Sequence, residues 1–156
     1  MKKKILFIHH CSNIGGAGIS GLKALNSIDR DIYDIVVYCN SSGNHNHMIG
    51  LFRDNGYKVL DGGNSPVIFS HCVGGEKFIF STSSITNYIK ILKDHKKIRS
   101  LIRDVNPDIV ILNSMTLFWI GRLAKQNNSS TICFFRETYV KGLFGLRTAF
   151  IKRQLG

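Results

Sequence analysis

Residues 4–20, Lys4-Ile5-Leu6-Phe7-Ile8-His9-His10-Cys11-Ser12-Asn13-Ile14-Gly15-Gly16-Ala17-Gly18-Ile19-Ser20, pass from a charged lysine through four apolar residues into a polar, glycine-rich loop. The apolar run is too short for a helix and is bounded by polar residues, which suits a central strand over 5–9 that is buried on both faces. Beyond the loop, Ile19, Leu22, Leu25 and Ile28 recur at helical spacing, so a helix is expected over about 16–28. Strand, glycine turn and helix in succession are the opening of a parallel α/β unit.

The same alternation continues down the chain. Residues 34–39 (Asp-Ile-Val-Val-Tyr-Cys) read as a second buried strand rich in β-branched residues. A polar stretch, 40–47, leads to a helix at about 48–54 closed by Asn55-Gly56 and to a short strand at 57–60. From 61 to 84 Gly62-Gly63, Pro66 and Gly74-Gly75 break the pattern into short β-like pieces at 67–69 and 78–80, an irregular excursion over one face. A long helix follows over 85–105, with Ile89, Leu92, Ile98, Leu101 and Ile102 on one side, and Pro107 stops it. A strand at 108–113, a helix at about 116–127, a strand at 130–136 and an amphipathic helix at about 143–155 complete the pattern. The fold class expected is α/β: a doubly wound, mainly parallel sheet with helices on both faces, one Rossmann-like domain over 1–156.

Composition bounds the function. With 156 residues and a 44% hydrophobic fraction, the chain can bury a full core. Its 21 Lys and Arg against 10 Asp and Glu give a formal charge of +11, which favours an anionic partner. Cys11, Cys39, Cys72 and Cys133 share no Cys-x-x-Cys spacing and read as buried thiols of a reducing cytosol. No apolar run approaches the roughly 18 residues needed to span a bilayer, and the start reads as a strand rather than an export signal. The protein is expected in the cytoplasm, with any membrane contact peripheral.

In open parallel sheets ligands bind beyond the carboxyl ends of the strands, here residues 11–17, 40–46, 113–116 and 136–139. Gly15-Gly16-Ala17-Gly18 opens a helix, where small residues let a phosphate approach backbone N–H groups at the positive end of the helix dipole. The spacing is neither Gly-x-Gly-x-x-Gly nor a P-loop, and the same glycines would equally serve a tight turn and a close helix–sheet contact. Asn113-Ser114 and Arg136-Glu137 end two strands and should reach one rim. Arg136 offers a fork for phosphate or carboxylate and Glu137 a proton or hydroxyl acceptor; a rim salt bridge or a helix cap is the plainer role. His45-x-His47 lies in a polar loop without a neighbouring carboxylate or thiolate, so no metal site is expected, and His71-Cys72 lacks the surroundings of a hydrolase dyad. Trp119, amid Leu117, Ile120 and Leu123, is expected in the core.

Lys90, Lys93, Lys96, Lys97, Arg99 and Arg103 make one helix strongly basic, either a solvated face or a contact with an anionic membrane, to which the terminal helix with Lys152 and Arg153 could add. Phe144, Leu146 and Phe150 would form an apolar edge there or pack on the sheet or on a further domain. A nucleic-acid partner is not expected, because only Tyr88 lies near the basic residues.

Taken in order, residues 4–10, Gly15-Gly16-Ala17, Asn106-Pro107-Asp108-Ile109-Val110-Ile111-Leu112-Asn113-Ser114 and Phe135-Arg136-Glu137 resemble the N-terminal domain of the group 1 glycosyltransferases, retaining enzymes with two facing Rossmann-like domains. The resemblance covers about residues 2–153. It implies that Gly15, Gly16 and Ala17 lie against the phosphates of a nucleotide-sugar donor, with Asn113, Ser114 and Arg136 in the acceptor cleft and Glu137 as the catalytic candidate. Two departures stand out: Gly18 occupies a position that is often Glu, and Asn113-Ser114 stand where many members have a His. The family's Glu-x7-Glu donor motif has no match, so the chain is expected to be one half of an enzyme whose C-terminal donor-binding domain is absent from it. The implied substrates are a nucleotide sugar and a lipid-linked or polysaccharide acceptor, with no cofactor and no metal. The competing reading is a stand-alone module that binds an anion or a partner without catalysis.

Overall fold

The computed structural model describes residues 2–41, 46–68, 82–135 and 146–155. Five strands, β1 (Lys3–His9), β2 (Tyr33–Cys39), β3 (Lys58–Asp61), β4 (Ile109–Leu112) and β5 (Ser130–Cys133), form one sheet in the order β3-β2-β1-β4-β5. Every pairing is parallel: Ile8 lies between Tyr38 and Leu112, and Leu112 lies beside Cys133. The expected doubly wound α/β architecture is therefore what the chain adopts. The topology puts the end of β1, the centre of the sheet, beside the ends of β2 and β4.

Alternate residues of the buried strands feed two cores. Ile5, Phe7, Ile35, Val37 and Ile111 face helices α1 (Gly16–Asn26) and α2 (His47–Asp54), through Leu22, Leu25, Met48, Ile49 and Phe52. Leu6, Ile8, Val36, Val110 and Leu112 face the other way, against α3 (Thr82–Val105), a 3-10 segment (Met115–Ile120), α4 (Gly121–Gln126) and α5 (Leu146–Leu155). This division follows from right-handed crossovers: connections running outward from β1 to β3 lie on one face, and the return to β4 and β5 lies on the other.

Several helix ends obey local chemistry. α2 stops where Asn55 is followed by Gly56 at φ +77°, with the Gly56 N–H bonded to the Arg53 carbonyl at 2.8 Å. α3 stops at Asn106, held at φ +47°, ahead of Pro107. Trp119 is buried as expected, its Nε1 donating to the Val67 carbonyl at 3.0 Å and its indole stacked on His95 at 5.3 Å. Burial, followed by the charges of Arg99 and Arg122, holds the His95 imidazole below its ordinary pKa.

Four expectations are corrected. The stripe assigned to α1 began at Ile19, yet Ile19 is exposed and the packed face is Gly18, Gly21, Leu22 and Leu25. The stripe assigned to α3 joined Ile89 and Leu92 to Ile98, but nine residues separate Ile89 from Ile98, two and a half turns, so they lie on opposite sides. The observed core face is Ile91, Asp94, Ile98 and Ile102. The helix expected at 116–127 opens as the 3-10 segment, the Leu117 N–H reaching back three residues to the Ser114 carbonyl at 3.2 Å and the Ser114 hydroxyl capping it by accepting the Thr116 N–H at 3.1 Å. Residues 67 and 68 form no strand; Val67 is instead pinned to α3, its N–H donating to the buried Asp94 carboxylate at 2.8 Å. The piece expected at 78–80 lies outside the described residues.

Among the thiols, Cys39 is buried and pushed up to about 12 by that burial, whereas Cys11 and Cys133 are half-buried rather than buried. Cys72 lies outside the described residues.

Candidate functional site at the carboxyl rim

The rim is built by β1, β2 and β4 ending at one level. The His9 carbonyl accepts the Asn40 N–H at 3.3 Å and the Ile8 carbonyl accepts the Asn113 N–H at 3.0 Å, so the loops after all three strands leave from adjacent points. The loop after β1 is tied down on its far side, its Ser12 carbonyl accepting the Met48 N–H at 3.0 Å. Beside it, the Asp61 carboxylate accepts from the Ser41 hydroxyl and from the Gly63 N–H at 2.8 Å. Those two bonds, the hydroxyl first, hold its carboxyl below the usual carboxylate range.

The first turn of α1 separates the two uses that its glycines could serve. Gly15 and Gly16 are exposed, and a Cβ on either would meet nothing within 4 Å. Packing within the chain does not require glycine there; the bare backbone leaves an open approach. Gly15 is the N-cap and supplies no side-chain acceptor, so the helix start is not covered by a cap. Gly18 and Gly21 do the packing. A Cβ on Gly18 would lie 2.4 Å from Met48 Sδ, and one on Gly21 would lie 2.7 Å from Asn113 Nδ2 and 2.8 Å from Phe7 Cζ. A side chain at position 18 would have to displace the Met48 thioether.

Asn113 joins these parts. It is fully buried, and its Nδ2 donates both to His9 Nδ1 at 2.8 Å and to the Ala17 carbonyl at 2.9 Å. One carboxamide thus links the ends of β4 and β1 to the first turn of α1. The amide orientation follows from these acceptors, and it leaves His9 Nδ1 unprotonated with the proton on Nε2. Asn113 Oδ1 has no hydrogen-bond partner among the described residues. Ser114 is also buried, its hydroxyl 2.7 Å from that of Thr116. Both residues were expected in a cleft, and both turn inward to hold loops. Arg136 and Glu137 lie outside the described residues. No set of three or more His, Cys, Asp or Glu residues with metal-binding geometry occurs among the described residues.

The His9–Asn113–Gly21 arrangement was missed in the sequence. Its signal was a polar residue closing each of two strands that are otherwise apolar, which marks a buried polar pair once those strands are neighbours.

The glycines give a test. Gly16→Ala should leave stability unchanged or raise it by up to about 1 kcal/mol, because alanine is the better helix former and the site is open. Gly21→Ala should lower stability by about 1–3 kcal/mol despite the same gain, since Phe7 and Asn113 have no space to retreat. Equilibrium urea unfolding reads both, and a neutral Gly21→Ala would remove the close-packing role.

No family model matches the chain, and no curated protein matches it in sequence. Among solved structures it is similar to CalG4, the calicheamicin glycosyltransferase, at 15% identity and a TM-score of 0.54, covering 97% of this chain and 37% of that one. It also aligns with UGT73P12 of Glycyrrhiza uralensis, solved with glycyrrhetinic acid 3-O-monoglucuronide, at 12% identity and a TM-score of 0.49, covering 85% of this chain and 28% of that one. The chain spans well under half the length of either protein. The likeness to the calicheamicin enzyme is one of fold.

Proposed function

We propose that this chain is the acceptor-side half of a retaining glycosyltransferase, which takes a nucleotide sugar as donor and moves its hexose to a lipid-linked or polysaccharide acceptor. The observation that carries this reading is the open, uncapped start of α1 at Gly15-Gly16, fixed at the carboxyl rim by Asn113. Parallel sheets take their ligands at this rim. A fold shared with a glycosyltransferase over 97% of the chain is consistent with it, and a second α/β domain facing the rim would complete the site.

In sugar transfer of this kind the negative charge that develops sits on the departing diphosphate. Backbone N–H groups at the start of α1, reinforced by the helix dipole, are oriented in advance toward such a charge and need not reorganise as it forms. Gly15, Gly16 and Ala17 would make that contact. Asn113 acts as a positioning residue: it holds the turn through the Ala17 carbonyl and does not reach the rim surface itself. Arg136 and Glu137 are assigned by sequence alone, Arg136 to the phosphates or the acceptor and Glu137 to a hydroxyl that must lose its proton.

The test has two arms on the 156-residue chain. With a panel of nucleotide sugars and lipid acceptors it should show no turnover, because the residues that would grip the donor belong to the second domain. Titration with a nucleoside diphosphate should perturb the amide resonances of Gly15, Gly16 and Ala17 above all others. Robust turnover by the chain alone sinks the two-domain reading; perturbation confined to another region sinks the phosphate assignment.

A further inference from the structure

α3 presents two unlike faces. Ile91, Ile98 and Ile102 are buried in the core, and Asp94 between them is turned inward onto the Val67 N–H. On the opposite side, Ile89, Lys93, Lys96, Ser100 and Arg103 follow one another at three- and four-residue steps, with Leu92 beside them one turn on from Ile89, and form a single outward stripe. Ile89 and Leu92 are 48% and 54% exposed. These two aliphatics, one turn apart, stand side by side on the surface with lysines around them.

The charges on this stripe are one-sided. α3 contains two acids: Asp94 faces inward, and Asp104 lies at the far end, 3.7 Å from Arg103. Lys97 and Arg99 are committed within the fold, to the Gly62 carbonyl at 2.6 Å and to Gln126 at 3.2 Å. Lys90, Lys93 and Lys96 are exposed and make no hydrogen bond or ion pair among the described residues.

The position of the stripe also matters. Gly62 follows directly on β3, so the Lys97 contact places α3 at the level of the carboxyl rim near that residue. All strands are parallel and α3 returns from the end of β3 to the start of β4, so residues before Lys97 extend past the rim, Ile89 by about 12 Å. The exposed aliphatics and lysines therefore lie at the same end of the sheet as Gly15.

We propose that this face of α3 docks on a bilayer surface containing anionic phospholipid. Ile89 and Leu92 enter the boundary between headgroups and acyl chains, Lys93 and Lys96 beside them lie against the lipid phosphates, and Lys90, about 100° round the helix from Ile89, reaches the phosphates from the flank. Charge complementarity selects this occupant: a +11 chain disfavours a second copy of itself, and the stripe carries aliphatics in place of the aromatics on which nucleic-acid bases stack. No helix among the described residues is long and apolar enough to cross a membrane, and docking of this kind needs none. α5 takes no part, since its Ile151 and Gln154 are buried and its backbone packs on Gly121. The proposal stands on α3 alone and is independent of sugar transfer.

Co-sedimentation of the 156-residue chain with vesicles of phosphatidylcholine, with or without phosphatidylglycerol, tests it. The chain should pellet with the anionic vesicles alone and be released by high salt, as screening shortens the attraction to within a few ångströms. The variant Lys90→Glu/Lys93→Glu/Lys96→Glu should lose about a hundredfold or more in partitioning, whereas Lys152→Glu/Arg153→Glu on α5 should lose far less. Ile89→Ser/Leu92→Ser should weaken binding while leaving its salt dependence in place. Circular dichroism confirms that each variant is folded. Equal pelleting with both vesicle types, none with either, or a triple variant that binds like the parent overturns the proposal. So does binding of a short RNA without vesicle binding, or a dimer in sedimentation velocity that Ile89→Ser/Leu92→Ser abolishes.

Discussion

Replacing Asn113 by leucine is expected to lower the free energy of unfolding by about 2–3 kcal/mol, although the two side chains are similar in size. His9 Nδ1 loses the Nδ2 donor at a fully buried site, where a weakened acceptor costs about 1–3 kcal/mol, and the half-buried Ala17 carbonyl loses one of the bonds it accepts while keeping the Ser20 hydroxyl at 3.3 Å. Part is returned because Asn113 Oδ1, itself without a partner among the described residues, is removed as well. Equilibrium urea unfolding gives the number, and a loss below about 1 kcal/mol would show that the link between β4, β1 and α1 is incidental. The amide spectrum offers a second readout: the resonances of Gly15, Gly16 and Ala17 should broaden as the first turn of α1 loosens. A merely cavity-related loss would leave them sharp.

Trp119→Ala should cost more, about 3–5 kcal/mol, in the range of buried tryptophan truncations. Trp119 fills the core between α3 and the sheet, stacks on His95 and holds the Val67 carbonyl. Trp119→Phe keeps most of the packing and loses the Nε1 bond, so its cost should fall to about 1 kcal/mol, apart from packing differences. If the two variants proved equally damaging, the hydrogen bond to Val67 rather than the buried ring would be the dominant contribution. The same substitution bears on docking, because α3 is held in register by Trp119 as well as by Ile91, Ile98 and Ile102. In Trp119→Ala the salt-released binding to anionic vesicles should weaken even though no cation is changed.

By itself the sequence determined the class of fold. The apolar run at 5–9, the β-branched run at 34–39 and the run ending at Leu112 read as strands buried on both faces, being too short for helices, and glycine or asparagine signals separated them from the helices. Those signals are local, so one sequence suffices to read them. The order β3-β2-β1-β4-β5 and the facing of each helix are set by which strands pair and by the hand of the crossovers, which no window of residues records. That is why the glycines after β1 stayed ambiguous. In the sequence Gly15, Gly16, Gly18 and Gly21 are alike, and only the packing of α1 against Phe7, Met48 and Asn113 separates the two that are exposed from the two that are crowded. Asn113 itself was visible as a strand-ending polar residue, but its role depends on β4 lying beside β1, 104 residues away from His9 in sequence. The outward face of α3 was legible in principle, since helical phase is a local property and nine residues turn a side chain to the far side. What the tertiary structure alone decided is which of the two apolar stripes the core would take, because burial goes to the side that meets Leu112 and Trp119 and leaves Ile89 and Leu92 facing out.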